Sequence, residues 1–301
     1  MPLYASELKA LLYVQRATEP PAQAVHDFVA TVGVVEAAAA IRAGNAPAAV
    51  TAEVTRPDVD IRPDLDALDR GEIRLLTPED TGWPGGRFTA LNAAGLTVPL
   101  ALFVHGDASL ATLTCSAVTI TGTRAATGYG IHVAGELAFG FAEAGVTVVG
   151  GGSYGIEGAA HRGALTAGEP TVVVLACGVD RAYPTGHAAL LEKVVKHGGL
   201  LVSEYPIGAA PVRHRFVARN RLLAALGGAT VVVEAGRRSG ALHLARTAAS
   251  LGRRVYGVPG PITSALSAGV HELLRDEHAR LATAHADVEL DSLPRADRQE
   301  P

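Results

Sequence analysis

The chain has 301 residues, 48% hydrophobic and 19% charged, with a formal net charge of −4, which allows a large buried core with a smaller companion domain and excludes a disordered or fibrous chain. No apolar run reaches the roughly 18 residues of a membrane span, and no charged n-region followed by an apolar h-region opens the chain. Cys115 and Cys177 stand far apart without a CxxC partner, which argues against a disulfide framework or a zinc site and for a cytoplasmic protein with no membrane contact.

Residues 4–17 carry apolar positions at helical spacing (Leu8, Leu11, Leu12), and residues 22–43 continue the pattern with Val25, Phe28, Val29 and Val32 after the break at Pro20-Pro21. This predicts a small N-terminal helical domain over 1–60. A Pro- and Asp-rich stretch at 56–66 reads as a boundary. After it, residues 61–116 form a less regular lead-in, running from Leu75 through Trp83-Pro84 to Leu102-Phe103-Val104, and are expected to pack on the core.

Over residues 117–290, short β-branched runs recur at 118–121, 146–149, 171–175, 200–203, 230–233 and 254–258, with helix-length stretches such as 131–144 and 188–197 between them. Strands apolar on both faces alternating with helices predict an α/β fold with a doubly wound, mostly parallel, Rossmann-like sheet. Residues 271–280 are expected as a helix with Leu273, Leu274 and Leu281 on one side, suited to self-association or to covering the sheet. His271, His278 and His285 recur every seven residues, one helical stripe without the i, i+4 clamp of a zinc helix. Residues 291–301 are polar and expected to form a flexible tail.

The net charge conceals a division. Residues 117–260 hold 14 Lys and Arg against 8 Asp and Glu, whereas 1–116 hold 8 against 14 and 261–301 hold 4 against 8. Local charge sets the field over a binding face. In the basic middle, Val118-Thr119-Ile120-Thr121-Gly122-Thr123-Arg124 is an apolar strand ending in a glycine turn that hands an arginine to the next helix. In an open parallel sheet this is where helix N-termini meet anions. Gly152-Ser153 and Arg238-Ser239-Gly240 repeat the arrangement, so three turns on one sheet edge would line a groove longer than one phosphate.

Gly150-Gly151-Gly152-Ser153-Tyr154-Gly155 also fits G-x-G-x-x-G. A strand already precedes it, and the nearest acid after the following strand is Asp180, beyond a Cys-Gly turn, so NAD is disfavoured and a plain tight turn stays open. Residues 213–221 bring four arginines and Phe216 into nine residues. Such interleaving suits single-stranded nucleic acid, where a stacked base contributes about 1–3 kcal/mol; Phe216 turned into the core is the alternative.

Ile120-Thr121-Gly122-Thr123-Arg124 with Thr127, Tyr129 and Gly130, Gly152-Ser153-Tyr154-Gly155-Ile156-Glu157 with Ala160-His161-Arg162-Gly163-Ala164-Leu165, Gly178-Val179-Asp180 with Tyr183-Pro184, Ser203-Glu204-Tyr205-Pro206, Arg219-Asn220-Arg221, Val233-Glu234-Ala235 with Ser239-Gly240, and Val258-Pro259-Gly260 follow one another in this order. Together with the lead-in from Leu75-Leu76-Thr77-Pro78 to Val104-His105-Gly106-Asp107, the series resembles the bacterial DNA-processing protein A family (DprA/Smf). The resemblance implies an extended Rossmann-like core, with a SAM-like helical domain before it, that binds single-stranded DNA and assists RecA recombinase loading in natural transformation. It further implies a homodimer, no cofactor and no catalytic step. Carried over, Gly122, Thr123 and Arg124 hold backbone phosphate, and Gly152, Ser153 and Gly155, with Arg162 nearby, form a second stretch of the same groove. Arg219 and Arg221 contact further phosphates, and Asn220 fixes the loop; to these the pattern of the residues themselves adds Ser239 and Gly240 in the third turn and Phe216 as a ring that could stack a base. His161, Asn220 and Glu234 are alternatively buried hydrogen-bonding partners.

The chain departs from the family at Glu157, Val217 and Gly151-Gly152, where the family has Asp, Pro and Ser-Gly, which leaves the loop geometry open; no winged helix is expected after residue 290. Two other functions stay open on the same fold. One is a nucleotide-binding sensor, the other a phosphoribohydrolase-type enzyme, although the Pro-Gly-Gly-x-Gly-Thr-x-x-Glu turn of the latter is missing from 234–240.

Overall fold

The computed structural model describes residues 5–291. Its N-terminal part is helical: α1 Ala5–Ala17, α2 Gln23–Val32, α3 Val34–Arg42, α4 Ala48–Glu53 and α5 Arg62–Asp69. The helical pattern over 22–43 is borne by two helices, and the chain turns by 120° between α2 and α3. Gly33 makes the break with φ of +84°, a conformation open to glycine at little cost. Helix α5 fills much of the stretch expected as a boundary, and its Asp64 is fully buried. Among the described residues no single helix is long and apolar enough to cross a membrane.

The rest of the described residues are built on nine strands: β1 Ile73–Leu76, β2 Leu102–His105, β3 Ala117–Thr121, β4 Thr147–Gly150, β5 Thr171–Val174, β6 Leu200–Ser203, β7 Ala229–Val232, β8 Arg254–Gly257 and β9 Arg280–Leu281. They form one sheet in the order β1-β2-β6-β5-β4-β3-β7-β8-β9. Every pair from β6 to β9 is parallel, while β2 joins β6 antiparallel and β1 joins β2 antiparallel. The irregular lead-in is therefore part of the sheet. Short helices α6 Gly85–Ala93 and α7 Leu110–Cys115 lie within it, and Leu12, Ala67, Ile73 and Phe103 share one apolar cluster that ties the N-terminal helices to its strands.

The six β-branched runs become β3 to β8, and β3, β5, β6 and β7 are buried along their whole length. Helices cover both faces: α8 Gly128–Glu143, α9 Ile156–Thr166 and α10 Ala188–Lys196, then α11 Arg213–Leu226, α12 Gly240–Ser250 and α13 Ala268–Arg275. Alternation along β3 assigns the layers. Val118 and Ile120 pack with Leu137 of α8 and Ala160 of α9, whereas Thr119 points the other way and donates to Leu223 O of α11 at 2.7 Å. The chain steps outward from β3 through β4 and β5 to β6, then returns to the other side of β3 as β7. That reversal is the topological switch point, where open α/β sheets bind ligands.

The expected helix over 271–280 ends at Arg275, because Glu277 takes φ of +56° and turns the chain so that Arg280 and Leu281 pair with Tyr256 and Gly257. His271, His278 and His285 consequently do not share a helix. Of the expected flexible tail, only Asp291 is described; its N–H donates to Gly228 O at 3.1 Å and its carboxylate meets Arg254 at 2.7 Å. Residues 292–301 lie outside the described residues.

Helices α8 and α9 approach closely at two glycines, so a Cβ on Gly163 would run into the carbonyl of Gly135. Gly163→Ala is expected to destabilise the fold by about 1–3 kcal/mol, as overpacking does, seen as a lower urea midpoint with an unchanged m value.

Candidate nucleic-acid interface

The register pairs Thr119 with Val149 and Thr121 with Val232, which brings the carboxyl ends of β4, β3 and β7 level at the switch point. A groove of about 380 Å³ opens there, lined by residues 121–125 after β3, Ser153 and Glu157 after β4, residues 216, 217, 219 and 220 of α11, and residues 239–241 and 244 at the start of α12. It collects Gly122, Thr123, Arg124, Ser153, Phe216, Arg219, Asn220, Ser239 and Gly240 from the expected site. Gly152, Gly155, Arg162 and Arg221 are not in its lining.

Close backbone packing holds the loops together. Thr123 N–H donates to Glu234 O at 2.7 Å, and Ile156 N–H donates to Thr123 O at 3.2 Å. Gly122 is required because a Cβ there would sit 2.7 Å from Glu234 O, and Gly155 because a Cβ would sit 2.6 Å from Arg124 O at φ of +73°. These two glycines shape the groove by allowing contact between loops. The Glu234 carboxylate, 1% exposed, accepts from Thr127 N at 2.9 Å and Thr127 Oγ1 at 2.6 Å at the start of α8. A second carboxylate sits at the start of α9, where Glu157 accepts from Ser153 N at 3.0 Å, Ser153 Oγ at 2.6 Å and Thr121 Oγ1 at 3.1 Å. The positive helix ends expected for phosphate at α8 and α9 are thus met by the protein's own anions. At α12, Ser239 caps Ala241 N at 3.3 Å, Gly240 is exposed, and both line the groove.

Charge beneath the groove is balanced. Arg219 is 6% exposed and donates to Val174 O at 2.8 Å; its Nε has no hydrogen-bond partner among the described residues. Burial lowers its pKa against the pull of Glu157. Burial likewise pushes Glu157 up, but the Arg219 guanidinium and the hydrogen bonds from Ser153 outweigh it and hold the carboxyl below its ordinary value. His161 is fully buried. Thr171 gives its hydroxyl proton to Val148 O at 2.6 Å and accepts from His161 Nδ1 at 2.8 Å, so this ring is a neutral structural partner. His187, which no sequence signal marked, contacts Gly152 O through Nδ1 at 2.9 Å and Arg162 through Nε2 at 3.1 Å. Arg162 therefore braces the glycine loop from outside the groove.

The arginines of α11 divide. Arg221 points into the core, 5% exposed, paired with Glu204 at 2.5 Å and donating to Thr97 O at 2.9 Å. This corrects its expected role as a phosphate contact. Arg219 forms floor, and Arg215 is bound to Glu19. Phe216 is half-buried; Tyr183 packs on it at 5.6 Å between ring centroids, and the guanidinium of Arg124 lies 4.9 Å from its ring centre. Arg124 is exposed and, among the described residues, forms no ion pair. Arg238 is likewise exposed beside Ser239; its place directly before Ser239-Gly240 was the available signal.

The family model described as DNA recombination-mediator protein A matches residues 74–291. The chain belongs to this family. A Mycobacterium tuberculosis protein bearing the DNA processing protein DprA name is 47% identical over 288 residues, covering 93% of this chain and 74% of that one. The DNA processing protein DprA of Streptococcus pneumoniae is 36% identical over 190 residues, 63% of this chain and 66% of that protein. The X-ray structure of DprA from S. pneumoniae superposes with a TM-score of 0.73 at 28% identity, covering 96% of this chain and 98% of that one. DprA of Helicobacter pylori, whose structure was described for its single-stranded DNA binding mode, gives 0.63 at 28% identity over 72% of this chain and 93% of that one. The family's role is DNA processing.

Removing one partner of a buried ion pair strands the other charge. Arg221→Ala is therefore expected to lower stability by about 3–5 kcal/mol in urea unfolding. Burial, then the neighbouring His187 and Arg162, pushes the pKa of His161 down to about 4 against the pull of Glu157. The unfolded chain takes up a proton near pH 6.5 that the folded chain refuses, so stability falls as pH drops from about 6.5 towards 4. His161→Gln should flatten the slope across that window in unfolding measured against pH.

Proposed function

We propose that this protein binds single-stranded DNA in the groove at the switch point and performs no chemistry on it. The observation that carries this is the convergence of loops after β3, β4 and β7 with the start of α11, so that Arg124, without an ion pair among the described residues, lies on Phe216 in one continuous depression. Arg124, with Ser239 and Gly240 at the α12 N-terminus, takes phosphate. Gly122, Thr123 and Ser153 form the wall, Asn220 lines it beside Arg219, and the Phe216 ring with its guanidinium cover offers a stacking surface for a base. The non-catalytic part rests on Glu157, the groove's carboxylate, whose oxygens already accept three hydrogen bonds.

Family membership, and single-stranded DNA binding by the H. pylori relative, support the wider role. In it the protein works in the cytoplasm as a homodimer, protects incoming strands and assists RecA loading in recombination and natural transformation.

The test is titration of fluorescent single strands, duplexes and mononucleotides at two salt concentrations. Affinity that rises with single-strand length, without hydrolysis of nucleoside monophosphates, is expected; hydrolysis, or tight mononucleotide binding with no length dependence, overturns the proposal. Arg124→Ala is expected to weaken binding about equally across sequences and to reduce the salt slope by about 0.7, one single-strand phosphate contact.

A further inference from the structure

The α11 wall of the groove begins in a helical turn that is poorly stabilised by its own residues. Its first turn reads Arg213-His214-Arg215, with no acidic residue, and the N-cap Val212 makes no side-chain cap. Cations at a helix N-terminus oppose the helix dipole, and valine is among the weakest caps. The next residue is Phe216, the ring beneath Arg124.

The missing negative charge comes from another part of the chain. Glu19, just after α1, accepts from Arg215 Nε at 2.5 Å and Nη2 at 2.8 Å, lies 3.0 Å from His214 Nε2, and has Arg56 at 3.7 Å. Arg215 is held flat by the Tyr205 ring, 4.6 Å away, and by Ala210 O at 2.8 Å. A second clamp grips the same connection upstream, where Asp64 pairs with Arg16 and accepts from Ile207 N at 3.0 Å. The segment from β6 into α11 is thus fastened at both ends by helices that contribute no residue to the groove lining.

We propose that Glu19 is a positioning residue for the nucleic-acid groove: a counter-charge supplied next to the N-terminal helices that pairs with the Arg215 and His214 side chains, offsets the cations of the first turn of α11 and so fixes that turn and with it Phe216. The proposal rests on the groove's reading as a single-stranded DNA site. The N-terminal helical module then serves binding without touching DNA.

Glu19→Gln keeps the size and removes the charge. It is expected to weaken binding of a fluorescent single-stranded 20-mer about fivefold, the effect of roughly one lost ion pair, and to speed amide hydrogen exchange at 213–217. Adding Val212→Ser, which supplies a cap within α11, is expected to restore both. Glu19→Asp, a milder change should the first variant not fold, is expected to give intermediate values. Unchanged affinity in Glu19→Gln overturns the proposal, whatever the exchange rates. So does a Val212→Ser rescue that restores protection without affinity. Wild-type protein that fails to bind the 20-mer overturns the groove's reading and the proposal with it, whereas wild-type binding with indifferent Glu19 variants removes only the role of Glu19.

Discussion

The groove depends on a carboxylate that never meets solvent. Glu234 leaves the end of β7 and enters the N-terminus of α8, where Thr127 supplies both a backbone and a hydroxyl hydrogen. Its carbonyl meanwhile receives Thr123 N–H, so one residue ties the strand after the switch point to the loop of the strand before it. Gly130 must be glycine for this, because a Cβ would collide with that carboxylate. A buried acid with unmet lone pairs would be costly, and the helix end supplies the donors it needs.

This arrangement changes what kind of anion site the fold offers. Helix N-termini on a parallel sheet are ready-made phosphate sites, yet here α8 is met by Glu234 and α9 by Glu157. The exposed Arg124 and the start of α12, by contrast, carry no such internal carboxylate among the described residues. The same redistribution applies to the basic middle of the chain, where Arg215, Arg221 and Arg254 pair with Glu19, Glu204 and Asp291. Much of the excess positive charge thus holds segments together, and a smaller part of it faces the groove.

What could be read from sequence follows from where the physics is local. Strands β3 to β8 are buried on both faces and announce themselves as β-branched runs, and the glycine turns after β3, β4 and β7 could be placed because each follows such a run. Strands β1 and β2 pair antiparallel at one side of the sheet and lack that signature. The break at Gly33 was hidden because one glycine does not interrupt apolar periodicity. The inward direction of Arg221 is not legible because composition records charge but not orientation: its partner Glu204 is 17 residues away, in a different element. His187 was invisible for a similar reason, since its partners Gly152 and Arg162 meet it only through the fold.

Phe216 carries the remaining tension between the sequence and the structure. Base stacking and burial are the two readings of an aromatic among arginines, and the ring is half-buried, with Tyr183 against it and the Arg124 guanidinium on it. A guanidinium is planar and stacks on aromatic faces while keeping its N–H edge for phosphate. Placed so, Arg124 is held by the ring at the groove and needs no carboxylate to order it. A paired carboxylate would cancel the charge of Arg124; an aromatic support orders the side chain and leaves its charge intact.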